Sequence, residues 1–550
     1  MSTTGTGGPE LAGTPVGVQD AAPAATAGRA GEAGRGDLTT LARGGAFSFV
    51  GLLCKAGLGS ALYVVVARGL GAGGAGVFFS SVALFTILTS VAQWGAHTGS
   101  VRIISRYRAL DRVADLRTTL WLALGPVFAA GVLLAAGVIL LAPQLAGVFV
   151  RRGSPEEAVG YLRILAAFIP LYAVSTVALS AGRGFGSLIP YVSVENIGMP
   201  AIRIVGVLAA VAAGLGASGV IVTWVLPVAL GCAVALFWLR RLLRRAEAAA
   251  APAAPPRQPV SALAREFWSF SAPRGLAGVF QVSISWLDVI LVGSLRSARE
   301  AGVYAAVSRA VVLGTFGLEA VRLTIAPQIS GLLARGERER AQRLYQTASW
   351  WLIAASWPAY CVIIVFAPVV LRVFGAEFAD GQTPLVILSV AMLANLATGN
   401  VTTVLLMGGK SSWNLFNTAA ALTSNVVLNL VLIPRYGIAG AAIAWTASIV
   451  VDNSLALAQT WRLMGMRPFG RGYPIVTGSA LLCFGAGGMI ARALLGPSVP
   501  GLLAAVVVGG CVYVAVLWRF RGVLQLGILR GAAQRRRARP TDETDAGVTR

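Results

Sequence analysis

The chain has 550 residues, 56% of them hydrophobic and only 12% charged, with a mean hydropathy of +0.74. That composition excludes a soluble globule and places the chain in a bilayer. A formal net charge of +23 would suit a nucleic-acid binder, but the basic residues lie between apolar runs rather than in one basic domain, which excludes that class.

Runs of about 20 apolar residues cross a hydrocarbon core roughly 30 Å thick. Residues 1–43 are rich in Gly, Ala, Thr and Pro, lack a signal-peptide core, and read as a disordered cytoplasmic tail. Six spans follow, near 44–67, 76–101, 118–141, 160–182, 189–213 and 219–240, and form an N-terminal lobe over 44–240. A basic, Ala- and Pro-rich cytoplasmic linker occupies 241–265. Six further spans, near 267–295, 302–330, 347–371, 383–407, 412–433 and 438–461, form a C-terminal lobe over 266–461. Two last spans, 473–494 and 500–519, lie in the segment 473–520, and 521–550 is a basic cytoplasmic tail. The predicted class is an all-α integral membrane protein of about fourteen helices, six plus six plus two.

Arginines crowd Arg102 to Arg117, Arg240 to Arg265, Arg335 to Arg343 and Arg535 to Arg537, alternate connections on one side of the membrane. This positive-inside bias predicts a multi-pass plasma-membrane protein with both termini cytoplasmic. The basic segments also suit contact with anionic lipid heads.

The two lobes repeat each other. Leu215, Gly216, Gly219 and Trp224 match Tyr436, Gly437, Gly440 and Trp445, and the same offset pairs Asn196 with Asn417. Gly76-Val77-Phe78 matches Gly302-Val303-Tyr304 at a similar offset. Because each lobe has an even number of spans, the lobes enter the membrane alike, related by a two-fold axis along its normal with a central cavity between them.

Several motifs point nowhere. Residues 69–74 satisfy GxGxxG but join two membrane spans, so a tight Gly-rich outer turn is expected instead of a dinucleotide site. Gly408-Gly409-Lys410-Ser411 lacks the first P-loop glycine, which would fall on Val404. His97 is the only histidine, and Cys54, Cys232, Cys361, Cys483 and Cys511 lie inside spans, so neither a metal nor a cofactor is expected.

Ionisable residues inside spans say more, since each costs about 2.5 to 3.5 kcal/mol at a helix centre unless it faces a cavity or partner. Lys55, near the middle of the first span, and Arg203, central in the fifth, have no sequence neighbour to neutralise them and are candidates for a cationic cavity. Glu195 lies about two turns from Arg203. Arg274 sits toward the inner end of the seventh span, where its side chain can snorkel. Asp288 and Arg309 share a depth of roughly 10 Å on consecutive spans and are able to pair. Glu319 and Arg322 share a helix face, and Asp452 is deep in the twelfth span. For both pairs an ion pair and a transport role stand equally open. The charges do not repeat: Arg203 corresponds to Ser424, and Glu195 to Phe416.

Val373-Phe374-Gly375 through Leu432-Ile433-Pro434-Arg435-Tyr436-Gly437-Ile438-Ala439-Gly440-Ala441-Ala442 resembles the C-terminal half of Wzx-type polysaccharide flippases. Ala67-Arg68-Gly69-Leu70-Gly71 with Gly76-Val77-Phe78 resembles that family's first outer turn. Asp288, Ile290, Leu291 and Gly293, then Ala301-Gly302-Val303-Tyr304 and Arg309, resemble its seventh and eighth spans. The likeness covers residues 40–525 and extends to the superfamily that includes lipid II flippases and multidrug MATE exporters.

The resemblance implies a transporter, not an enzyme, that moves an undecaprenyl-pyrophosphate-linked oligosaccharide between leaflets by alternating access. Its partners are then a polysaccharide polymerase and glycosyltransferases. The residues agree independently: Lys55, Arg203 and Arg274 supply cations for a pyrophosphate. Moving two negative charges outward releases about 4 to 5 kcal/mol per 100 mV, with proton or sodium coupling through Glu195, Asp288 or Asp452 as the other source. The alternatives are a lipid II flippase and a MATE-like exporter of organic cations, which needs carboxylates where this chain favours cations. A polymerase or ligase would need a large outer loop, and the outer loops here are short.

Overall fold

The structure, a computed structural model, describes residues 24–149, 155–249, 257–312 and 316–524, with side chains from Gly51 onward apart from residues 149, 411 and most of 313–327. The described residues from Phe49 onward form one compact unit. Its described secondary structure is entirely helical. Among the described residues ten helices are long and apolar enough to cross a membrane, or eleven if the bent pair Ala376–Ala397 and Val401–Met407 forms one span.

The expected crossings map onto these helices unevenly. Helix α1 (Ala24–Gln93) contains the first span and most of the second, broken only at Gly71, where φ is 65°. The Gly-rich outer turn expected over 69–74 thus shrinks to one residue, since glycine alone reverses the chain there without a Cβ penalty. Helical backbone begins at Ala24, inside the stretch expected as a disordered tail; the Ala-rich run there has the propensity for it. Residues 1–23 and 525–550 lie outside the described residues.

Helices α2 (Ala96–Ala109), α3 (Val113–Leu140), α4 (Pro155–Gly184), α5 (Ile189–Ala212) and α6 (Gly216–Ala248) complete the N-terminal lobe. Helix α4 is its axis, packing against both α3 and α6. The C-terminal lobe comprises α7 (Val260–Leu295), α8 (Ala298–Val312), α9 (Phe316–Ala334), α10 (Arg338–Val365), α11 (Gln382–Ala397), α12 (Val401–Met407) and α13 (Ser411–Met464). The span expected over 302–330 is shared between α8 and α9. Helix α13 holds the eleventh and twelfth expected spans, broken at Gly437 with φ 57°. Gly216, its repeat partner, has φ 64°, so the repeated glycine is kept where each lobe turns into its last span. Helices α14 (Tyr473–Leu495) and α15 (Val499–Arg519) rest on α10, where the Tyr513 hydroxyl donates to the Ala354 carbonyl at 3.1 Å.

The lobes meet through glycines. A Cβ on Gly76 would strike the Ala298 carbonyl, and one on Gly302 the Ala72 carbonyl; Gly95 and Gly275 approach as closely at the other end of the boundary. Polar contacts fasten both ends. At the Gly71 end the Ala72 amide donates to Glu377 Oε2 at 2.9 Å, and Arg68 Nε to the Val373 carbonyl at 2.9 Å. At the opposite end Glu266 accepts from Arg106 at 2.7 Å and from the Tyr107 hydroxyl at 2.8 Å. Beyond the spans, in the turn between α9 and α10, hydrogen bonds from Arg335 and Arg340 hold the Glu337 carboxyl below the usual carboxylate range.

Candidate functional site

Among the described residues, two of the cavities at the lobe boundary are lined by the candidate ionisable residues. The first, about 320 Å³, is built by the N-terminal lobe and closed by Trp286 and Arg309 of the other. Helix α5 shapes it. A π-helical turn over Val192–Gly198, in which the Met199 amide reaches back to the Val194 carbonyl, widens the helix just before Pro200, the residue that lacks an amide hydrogen. Glu195 lies in this turn, and Arg203 follows two turns later.

Lys55, expected to stand without a neutralising neighbour, meets Glu195: Nζ lies 3.3 Å from Oε1, across 140 residues of sequence. The Tyr172 hydroxyl donates to the same oxygen at 3.3 Å, while Glu195 Oε2 is buried without a partner. Each arginine is parked on a tryptophan. Arg203 lies 4.1 Å from the Trp224 ring centroid and donates through Nε to the Trp224 carbonyl at 3.0 Å. Arg309 lies 3.6 Å from the Trp286 centroid and donates through Nη2 to the Ser285 carbonyl at 3.0 Å. Ring faces attract guanidinium ions by about 0.5 to 2 kcal/mol, and these contacts leave Arg203 Nη2 and Arg309 Nε buried with no acceptor. Three cations and one carboxylate therefore face an aromatic, largely apolar basket.

Asp288 and Arg309 share consecutive helices but do not pair. Asp288, 3% exposed, accepts from the Tyr304 hydroxyl at 3.0 Å and from Asn429 Nδ2 at 2.8 Å. It is turned into the lobe interior, and Arg309 is turned toward the cavity by Trp286. This is a correction to the expected pairing: equal depth does not set helix rotation.

The second cavity, about 440 Å³, belongs to the C-terminal lobe, with His97 and Thr98 of α2 closing it. Arg274, Arg322 and Asp452 line it, so Arg274 does not join Lys55 and Arg203 as expected but stands at a separate site. The side chain of Glu319 lies outside the described residues. Among the described residues no group of His, Cys, Asp and Glu is placed to hold a metal.

The aromatic platforms and the amides went unnoticed in sequence. Trp224 carried a signal, because it is a repeat residue. So did Asn425 and Asn429, four apart in an apolar span, which places both on one helix face.

The chain is 26% identical over 196 residues to the probable low-salt glycan biosynthesis flippase Agl15 of Haloferax volcanii, covering 35% of this chain and 41% of that protein. It thus spans about two fifths of the length of that curated relative. Its fold is that of the lipid II flippase MurJ in an inward closed conformation, with a TM-score of 0.67 at 12% identity over 87% of this chain and 99% of that one. A multidrug resistance MATE family transporter of the MOP superfamily, inward-facing, superposes with a TM-score of 0.62 at 14% identity, covering 75% and 94%. The MatE family model matches residues 273–431. The model described as "Polysaccharide biosynthesis protein" matches residues 41–332, more than half of the sequence, and the chain belongs to that family.

Proposed function

We propose that this protein is a flippase that carries a polyprenyl-pyrophosphate-linked oligosaccharide, the repeat unit of a surface polysaccharide, across the plasma membrane by alternating access. The observation that carries this reading is the pair of buried, unpartnered guanidinium donors, Arg203 Nη2 and Arg309 Nε, on the wall of one cavity. Charged donors without acceptors are costly to bury, and a diphosphate offers them several oxygens. Lys55 adds a third cation, and its partner Glu195 has an oxygen to spare. An organic-cation exporter fits poorly, because Lys55, Arg203 and Arg309 outnumber the single carboxylate of this cavity, Glu195.

The glycine seam supports the transport cycle. Backbone packed on backbone without interposed side chains separates and closes without repacking a core, while the contacts of Glu377 and Glu266 fasten alternate ends. The basic connections support cytoplasmic termini, and two charges moving outward gain about 4 to 5 kcal/mol per 100 mV.

The test is deletion of the gene in its own cell. Lipid-linked repeat units should accumulate on the cytoplasmic leaflet, and the wild-type gene, but not the Arg203→Ala variant, should return polysaccharide to the surface. Normal surface polysaccharide in the deletion strain would overturn the proposal.

A further inference from the structure

The second cavity differs in kind from the first. Its described wall has no Phe, Tyr or Trp and is largely polar, with Asn395, Asn400, Asn414 and Asn453 among its lining residues. Two of these partly satisfy each other, Asn453 Nδ2 donating to Asn395 Oδ1 at 2.8 Å while Thr398 donates to Asn453 Oδ1 at 3.2 Å. Asn400, only 6% exposed, leaves its Nδ2 buried without a partner, and His97 Nδ1 is in the same position.

Unpaired amide and imidazole nitrogens at membrane depth call for a ligand rich in hydrogen-bonding groups. A carboxamide donates and accepts at once, and so does each hydroxyl of a sugar ring, so four asparagines are matched by a polyhydroxylated molecule. Arg274 and Arg322 on this wall suit an anion, but an anion alone uses only donors and leaves the asparagine carbonyl oxygens and Asp452 unmatched. The volume of about 440 Å³ lies within the range of small-ligand sites. Trp286 of the first cavity and Arg274 of the second are both on α7, twelve residues or roughly 18 Å apart along its axis.

We infer that the second cavity is a glycan subsite, which holds the uncharged sugars of a lipid-linked substrate while the first cavity holds its diphosphate. The inference rests on the anion-binding reading of the first cavity and assigns the other end of the same substrate.

Binding to the purified full-length protein separates the two claims. The probes are farnesyl pyrophosphate and farnesyl pyrophosphate bearing an uncharged N-acetylglucosamine disaccharide. Wild type should bind the glycosylated probe about tenfold more tightly, as one or two good hydrogen bonds provide. Asn400→Leu should lose that preference while keeping farnesyl pyrophosphate affinity, and Asn414→Leu, at a half-buried wall position, should do the same if the first variant folds poorly. Equal binding of both probes by wild type, or a preference untouched by both variants, would overturn the subsite and leave the flippase reading standing. Failure of wild type to bind either probe would sink both.

Discussion

Gly76 and Gly302, repeat partners in sequence, pack backbone to backbone across the lobe boundary, each occupying the space a side chain on the other would need. The contact is reciprocal, as a two-fold axis between the lobes requires. It also means that this end of the molecule closes only while both positions remain glycine.

Gly302→Val should therefore hold the boundary open. Overpacking of a tight contact costs about 1 to 3 kcal/mol, enough to shift a two-state equilibrium by roughly 5- to 150-fold. A membrane-impermeant maleimide should label a cysteine placed at Thr86, on the wall of the first cavity, faster in this variant than in its parent. Unchanged labelling would argue that the seam does not gate the cavity.

Arg203 should resist replacement even by lysine. Its guanidinium stacks on Trp224 and still presents a free donor, whereas an ammonium cannot do both. Arg203→Lys is expected to lose most surface polysaccharide at normal protein abundance, read by immunoblot of both; full polysaccharide would show that only the charge matters.

Lys55 and Glu195 should prove coupled. Removing either leaves the other charge unpaired inside the lobe, so the double variant Lys55→Met with Glu195→Met should be more stable than the sum of the singles predicts. Interaction energies of about 0.5 to 3 kcal/mol are typical of such contacts, and melting of the detergent-solubilised protein measures this one. Strict additivity would show that the ion pair contributes nothing.

Exchanging the charges of Asp288 and Arg309 should not rescue either single variant. Asp288 is held by Tyr304 and Asn429, and an arginine there would bury its charge among donors. Asp288→Ala should cost about 1 to 3 kcal/mol by orphaning those groups, and Tyr304→Phe less. Recovery of melting temperature in the exchanged double variant would restore the ion-pair reading.

Glu266 fastens the far end of the boundary through Arg106 and Tyr107. The partners are partly exposed, which limits the ion pair to about 0 to 1 kcal/mol. Glu266→Gln is expected to raise labelling of a cysteine at Thr98, on the wall of the second cavity, a few-fold without loss of protein. No change would assign closure of that end to Gly95 and Gly275 alone.

Hydropathy, arginine placement and the glycine repeat are written along single helices, and the sequence by itself therefore determined the membrane class, the duplicated lobes and which spans carry charge. It also marked Gly216 and Gly437, whose positive φ only a glycine takes without strain. Which side chains meet was decided by tertiary structure alone. Lys55 finds Glu195 across 140 residues, Asp288 turns from Arg309 to Asn429, and Arg274 lines a cavity with asparagines and Arg322 instead of joining Lys55 and Arg203. The physical reason is that a run of apolar residues specifies a helix and its approximate depth, whereas pairing depends on each helix's rotation and tilt. Those follow from packing against neighbours, including the backbone contact of Gly76 with Gly302, which no single span contains.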